Sequence, residues 1–332
     1  MLLRGGGGRG LWCSSRVIGR GRERGARQRV RMAWGVPAWS DVERRAAQAA
    51  EVGAMVSIYT RSTDVVDGGV AFEVRLATSL AKSKPKGTAA AEGPAGSVPK
   101  RNPFLPYDEE LFVCDAGDHH VLLLNKFNVV QGHLLVVTRA FESQDDALNA
   151  RDMAALWPLV RAHRMLGFFN YGPLSGQSQP HKHMQAVPLS SFAGSRLPLS
   201  SVVDELGKSP RSAFSIRSLP FANRCAVLDP ERETPEGLEA LVSDLVAYFQ
   251  GRYVPGRDGL PSYNLLLTPT LVAVFPRGAE EAPCASGLVN VNSLGFAGTL
   301  LAKEQAVADE IVRVGPLKIL QAVGIPSLPS DF

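Results

Sequence analysis

The order of apolar and polar positions divides this chain into many short strands and a few helices. Residues 70–80 (VAFEVRLATSL) alternate in part, the two-residue period of a strand or hairpin arm. Residues 111–114, 121–127 (VLLLNKF) and 133–138 (HLLVVT) are short, apolar and β-branched, the last two joined by a turn through Gly132. Such continuous runs predict strands covered on both faces. The spacing then changes to three and four. It predicts a helix over 145–167, with Leu156, Leu159, Val160, Met165 and Leu166 near one face and a kink at Pro158. Strands are expected next at 167–171 and 181–187. Another helix begins at Thr234-Pro235, a cap followed by proline at the first helical position, and carries Leu238, Leu241, Val242, Leu245, Val246 and Phe249 as one stripe. An earlier helix is expected over 40–52 with Ser40 as its cap. Residues 214–219, 263–268 and 271–275 read as strands. Residues 289–303 are punctuated by glycine and end in a strand (TLLAK), and two helical pieces break at Gly315-Pro316. There is no internal repeat. Strands and helices alternate irregularly, with hairpins, which predicts an α+β class with a mostly antiparallel sheet.

At 332 residues the chain holds one large domain or two smaller ones. Hydrophobic residues make up 45% and charged residues 20%, an ordinary globular balance. The net charge of +4 hides an asymmetry: residues 1–31 hold nine Arg and one acid, +8, which leaves 4 − 8 = −4 for the rest. The mildly acidic remainder gives no reason to expect nucleic acid as a partner. No apolar run reaches the roughly 18 residues of a membrane span. The Arg-rich, acid-poor stretch resembles an organelle transit peptide, so 1–39 is expected to be a disordered or targeting extension, with the cytoplasm as the alternative location. Residues 82–101 (KSKPKGTAAAEGPAGSVPKR) are low in complexity and predict a mobile loop inside a domain. Cys13, Cys114, Cys225 and Cys284 lie far apart with no C-x-x-C, which argues against a zinc ribbon, a redox motif or a disulfide framework.

The chemistry concentrates in Ser178-Gln179-Pro180-His181-Lys182-His183-Met184-Gln185. On a strand, His181, His183 and Gln185 share one face at about 7 Å intervals, while Lys182 and Met184 take the other. Alternate histidines also suit zinc, but no Cys or carboxylate stands within a few residues to complete such a set. A polar site without metal fits better. Neutral imidazole attacks phosphorus and leaves well again, so His183 is the candidate nucleophile of a two-step transfer. His181 would orient the site, and Gln185 would bond a phosphoryl oxygen. Such a transfer needs charge neutralisation, for which Lys126, Lys303 and Lys84 are candidates. Asn170, Gly176, Gln177, Ser178 and Gln179 form a turn-rich stretch whose N–H groups could cradle phosphate.

The same run resembles the H-x-H-x-Q signature of the nucleotidyltransferase branch of the histidine-triad superfamily. More narrowly, the chain resembles the diadenosine tetraphosphate phosphorylase (ATP adenylyltransferase) family over about residues 50–325. The segments VRLATSLAKSKPKG, RNPFLPYDEEL, LLLNKFNVVQGHLLVVT, FFNYGPLSGQSQPHKHMQ, and SYNLLLT with VNSLGFAGTLLAK, follow in the family's order. The resemblance implies a histidine-triad-like catalytic region over 40–200 with flanking helices, and a C-terminal α+β extension over 201–332 packed on the same site. It implies an adenylyl-enzyme on His183 and polyphosphate contacts from Lys84, Asn125 and Lys126. Nucleotide and phosphate contacts would come from Asn170, Gly176, Gln177, Ser178, Gln179 and Gln185. A second set of substrate contacts would come from Asn292, Ser293, Leu294, Thr299 and Lys303.

The reaction so implied is phosphorolysis: His183 attacks an α-phosphorus of diadenosine tetraphosphate, ATP leaves, and phosphate releases ADP. A divalent cation, magnesium, is expected on the polyphosphate, with no organic cofactor and with a monomer or homodimer as the assembly. Three other readings stay open. A histidine-triad hydrolase would use water, and Gln185 in the third place speaks against it. A phosphorylase could act on another nucleotide, such as a GDP-hexose or adenylyl sulfate. A sensor could have kept the pocket without turnover.

Overall fold

A computed structural model describes residues 34–78, 101–195, 197–205, 207–251 and 261–328. Its helices are α1 (Trp39–Glu51), α2 (Ala150–Ala162), α3 (Leu199–Glu205), α4 (Pro235–Ala247), α5 (Ser293–Phe296), α6 (Gln305–Val314) and α7 (Pro316–Val323). Its strands are β1 (Val56–Ser57), β2 (Thr60–Asp67), β3 (Val70–Ala77), β4 (Phe112–Asp115), β5 (His120–Leu124), β6 (Phe127–Asn128), β7 (Leu134–Thr138), β8 (Met165–Tyr171), β9 (His183–Pro188), β10 (Ala213–Phe214), β11 (Arg224–Val227), β12 (Tyr263–Leu267), β13 (Leu271–Pro276), β14 (Glu281–Cys284), β15 (Gly287–Asn290) and β16 (Thr299–Ala302).

Nine strands make one sheet in the order β10-β11-β13-β12-β8-β9-β7-β5-β4. Every neighbouring pair in it is antiparallel, as the hairpin-rich pattern predicts. Both halves of the chain contribute. β12 lies beside β8 with Asn264 opposite Asn170, so the regions 40–200 and 201–332 meet inside a single sheet. A smaller sheet joins β16, β3 and β2, with β16 parallel to β3.

Alternation along the strands divides the side chains between two faces. One face is mostly apolar: Leu122, Val136, Phe169, Met184 and Leu265 pack with Met153, Leu156, Trp157, Leu241 and Leu245 of α2 and α4. Each such buried Leu or Phe contributes about 1.5–3 kcal/mol. The opposite face carries two separate clusters. Phe104 closes one over Val121, Leu123, Leu135 and Val137 of β5 and β7. The other holds Phe168, Leu266, Phe275, Phe296, Ile311 and Leu320, beneath the small sheet and the C-terminal helices. Between them, on β9, stands the polar row.

Several predicted boundaries move, each for a local reason. The helix expected over 145–167 starts at Ala150, because Asn149 and Asp152 form a reciprocal capping box. It stops short of Arg164, whose φ of 49° turns the chain, and Met165 and Leu166 belong to β8 instead. The helix expected over 40–52 is α1, but Ser40 is not its cap; Ala38 holds that position without a side-chain bond. The strand expected over 214–219 ends at Phe214, since the Asn223 side chain takes both the N–H and the C=O of Ile216 away from the ladder. The strand expected over 121–127 ends at Leu124. The α4 cap is as predicted, with Thr234 Oγ1 accepting from Gly237 N. The break at Gly315-Pro316 is also as predicted. Gly315 has φ 94°, and a Cβ there would stand 2.6 Å from Asp67 Oδ2, which accepts from Leu317 N. Residues 1–33 and 79–100 lie outside the described residues, and with them Lys84 and nearly all of the predicted 82–101 loop. Trp34, Val36 and Trp39 pack on the α2–α4 cluster, so the part of the expected 1–39 extension from residue 34 onward belongs to the fold.

α2 runs on through Pro158. Proline has no N–H for the carbonyl of Ala154, and Trp34 Nε1 donates to that oxygen instead at 3.2 Å. Trp34→Phe should therefore destabilise the protein by about 1 kcal/mol in urea unfolding. The loss should shrink in a Pro158→Ala background, which gives Ala154 a helical partner again.

Candidate active site

His181, His183 and Gln185 share the open face of the sheet, as the alternation predicts, and Lys182 passes to the other. The Lys182 ammonium reaches Asp152 Oδ2 at 2.7 Å and the Ala147 carbonyl at 2.8 Å, at the start of α2. The second oxygen of Asp152 accepts from His120 Nε2 on β5 at 2.8 Å. Lys182, Asp152 and His120 are all buried. Burial opposes ionisation of Asp152, but the His120 hydrogen bond and the Lys182 charge outweigh it and hold the carboxyl below its ordinary value.

The two histidines differ in what their ring nitrogens do. In His181, Nδ1 accepts from Asn102 Nδ2 at 2.9 Å, so the proton sits on Nε2, which donates to the Thr138 carbonyl at 2.8 Å. Both nitrogens are occupied inside the protein. The ring is thereby held in one tautomer and one orientation. In His183, Nδ1–H donates to the His181 carbonyl at 2.8 Å, leaving the lone pair of Nε2 for chemistry. Burial pushes the His183 pKa down to about 4, so the ring is neutral at physiological pH. Phe104 packs against both rings, 5.3 Å from His183 and 5.6 Å from His181.

His183 stands where β8 and β9 separate. Their last paired residues are Phe168 and Gln185. Beyond them the Gln144 side chain fills the gap, accepting from His183 N at 2.8 Å and donating to the Asn170 carbonyl at 2.8 Å. Gln185 Oε1 meets His133 Nε2 at 2.9 Å, and His133 Nδ1 meets Asn125 Nδ2 at 3.0 Å. Asn125, His133 and Gln185 line a cavity of about 280 Å³ together with Asn292, Leu294, Thr299 and Lys303 from the C-terminal part. A larger cavity of about 880 Å³ lies between α1 and the 128–133 turn; it shares Val129 and His133 with the first and contains none of the predicted site residues.

The structure thus gathers six predicted residues at one cavity; the other predicted residues among those described do not line it. Asn170 and Ser293 are buried, and the Asn170 Oδ1 accepts from Asn264 Nδ2, Ser293 N and Ser293 Oγ. They form a joint between the two halves, at the β8–β12 register. Lys126 is exposed just past the end of β5 and does not interrupt a strand. Both N–H bonds of Asn125 go to protein acceptors, His133 and the Phe127 carbonyl, which leaves its oxygen to meet a hydroxyl donor better than a phosphate. Gly176, Gln177, Ser178 and Gln179 run along the surface toward His181. Among the described residues, the N–H groups of these four have no hydrogen-bond partner. Gly176 passes so close to Val291 that a Cβ would stand 2.5 Å from its carbonyl oxygen. Sequence reasoning missed Asn102, Phe104, Gln144 and His133 as parts of this site. The only available signal was polar residues beside otherwise apolar strands.

Comparison with known proteins adds six findings. The Ap4A phosphorylase N-terminal domain family matches residues 31–205, and the ATP adenylyltransferase C-terminal domain family matches residues 217–326. The chain is 30% identical over 260 residues to diadenosine 5′,5‴-P1,P4-tetraphosphate phosphorylase 2 of Saccharomyces cerevisiae, covering 68% of this chain and 77% of that protein. It is 28% identical over 268 residues to the same yeast's Protein APA1, covering 70% and 79%. The crystal structure of yeast Ap4A phosphorylase Apa2 with AMP superposes with a TM-score of 0.74 at 26% identity, covering 89% of this chain and 98% of that one. The complex with Ap4A gives 0.71 at 25%, covering 87% and 98%.

Lys182→Met would leave the Asp152 carboxylate buried without its cation. It should lower the unfolding free energy by roughly 3–5 kcal/mol at neutral pH. Because the folded-state pKa of Asp152 is depressed, its contribution is complete above the unfolded value near 4 and fades only as the pH falls further. Urea unfolding of the wild type and of Asp152→Asn, followed from pH 7 downward, should converge only in that acid range.

Proposed function

Because the chain belongs to the Ap4A phosphorylase family, with its N-terminal and ATP adenylyltransferase C-terminal domains in order, we propose that it cleaves diadenosine tetraphosphate with inorganic phosphate. The names of its yeast relatives and the Ap4A complex of one of them support that substrate. The observation that carries the reading is the His183 ring: its Nδ1–H is fixed on the His181 carbonyl, which leaves Nε2 as a neutral nucleophile.

Nε2 of His183 attacks the α-phosphorus, the P–O bond to the leaving ATP breaks, and an adenylyl-histidine forms. As the phosphorus bonds to Nε2, the ring becomes cationic, and the His181 carbonyl facing Nδ1–H stabilises it. Phosphate then attacks the same phosphorus, the P–N bond breaks, and ADP leaves with the imidazole neutral again. Gln185 and the N–H groups of Gly176, Gln177, Ser178 and Gln179 are the donors suited to the phosphoryl oxygens. Lys303 at the cavity and Lys126 outside it, together with the Lys84 that the resemblance implies, are the charges available to the polyphosphate tail. Among the described residues no group of three His, Cys, Asp or Glu is spaced to hold a metal. Magnesium would therefore be carried on the polyphosphate oxygens themselves, where it offsets their charge. The Arg-rich stretch over 1–31 we propose as an organelle import segment, and the assembly as a monomer or homodimer.

ADP and ATP should form from diadenosine tetraphosphate only when phosphate is added; AMP and ATP without phosphate would instead mark a hydrolase. His183→Ala should abolish both turnover and the attachment of radiolabelled adenylate while leaving the melting transition in place. The acid limb of kcat/KM reports groups of the free enzyme. With the His183 pKa pushed down to about 4, that limb should fall well below the 6.5 of an ordinary imidazole. A limb near 6.5 would show that a different, unperturbed group is the nucleophile.

A further inference from the structure

His133 stands between two carboxamides, and the chain of bonds through it has a direction. Asn125 Nδ2 lies 3.0 Å from Nδ1, and Gln185 Oε1 lies 2.9 Å from Nε2. An amide nitrogen only donates and an amide oxygen only accepts. The imidazole therefore carries its proton on Nε2 and is neutral, a state that burial favours by pushing its pKa down to about 4. The direction is set from the backbone. Asn125 Nδ2 also faces the Phe127 carbonyl at 3.3 Å, so turning the Asn125 amide over would abandon that acceptor. The ring plane is fixed as well, packed at 5.7 Å on Phe168, and the Asn125 N–H bonds the His133 carbonyl at 3.1 Å, which holds the two residues side by side.

The far end of this chain is the Gln185 amide. With its oxygen bound to His133, the N–H2 is the end of the amide left for the cavity that both residues line. An amide without such a partner would offer a phosphoryl group its oxygen as readily as its nitrogen, and the oxygen repels. Resting on the phosphorylase reading, we infer that His133 is a positioning residue of the reaction. It holds the Gln185 carboxamide with its N–H2 toward the phosphoryl group that passes to and from His183.

A double-mutant cycle tests this, because a residue that acts only through Gln185 has nothing left to do once the amide is gone. His133→Phe keeps a flat ring against Phe168 and removes both nitrogens. It should lower kcat about 10- to 100-fold, less than the roughly 10²–10³ expected for Gln185→Ala as loss of a transition-state donor. KM for diadenosine tetraphosphate should stay nearly unchanged. His133→Gln, whose amide N–H reaches the place of the ring Nε2–H, should restore most of the rate. In the Gln185→Ala background, His133→Phe should cost nothing further. Equal losses from His133→Phe in both backgrounds overturn the inference. Should His133→Phe fail to melt cooperatively, His133→Gln and His133→Asn decide, since the shorter Asn amide stops short of Gln185. A faster His133→Gln supports the role, and equal rates overturn it. A wild-type protein that forms no ADP from diadenosine tetraphosphate and phosphate overturns the phosphorylase reading itself. An active wild type with additive losses overturns only the part assigned to His133.

Discussion

The arrangement of the site depends on where one ammonium group goes. Lys182 lies between the two site histidines, and a strand obliges neighbouring side chains to take opposite faces. Its charge ends among apolar side chains behind the sheet, where Asp152 meets it at 2.7 Å. Such a buried pair adds little over an apolar pair of the same shape, since removing two charges from water costs about as much as their attraction returns. Its value here is geometric. A slip of β9 by one residue would put the ammonium in the cavity and the imidazoles in the core, and Asp152 makes that register prohibitive. Asp152 also caps α2 and accepts from His120 on β5, so one carboxylate ties the helix to the strand of the nucleophile and to a strand two places away.

A second polar joint unites the two halves of the chain. Asn170 and Asn264 face each other across β8 and β12, with Ser293 bonded to Asn170. Arg277, buried, donates to Asn264 and to the carbonyls of Val291, Ala279 and Glu280. Burial lowers its pKa to about 9, which still leaves it charged at neutral pH. Carbonyl oxygens take its N–H groups, and the Glu280 charge opposes part of the cost of burial. One of those carbonyls, Val291, leads directly into Asn292 at the cavity, so the fixed guanidinium anchors the chain where it enters the site.

The strands, their antiparallel pairing and the inward face of β9 were legible because burial imposes a strict two-residue rhythm on them. Thr234-Pro235 and Gly315-Pro316 were legible because caps and breaks have few chemical solutions. The start of α2 was not, since it depends on Asn149 and Asp152 bonding each other's backbone, and Asp152 also serves a lysine thirty residues on. The family resemblance brought Asn292, Leu294, Thr299 and Lys303 to the same cavity as Gln185, which no local pattern could do. It also drew in Asn170 and Ser293, whose burial and shared bonds no local pattern shows, because a buried asparagine and an exposed one are written alike. Gln144, Asn102 and His133 escaped notice for a related reason: each acts by completing another residue's hydrogen bonds, and that partner is fixed only by the folded chain.

The Trp34 indole carries one consequence for the Arg-rich stretch that precedes it. The carbonyl it covers lies 120 residues away in sequence, at the step of α2 that proline leaves open. Any shortening of the chain that takes Trp34 with it therefore strips that oxygen of its donor, and the damage appears in the middle of a helix far from the cut.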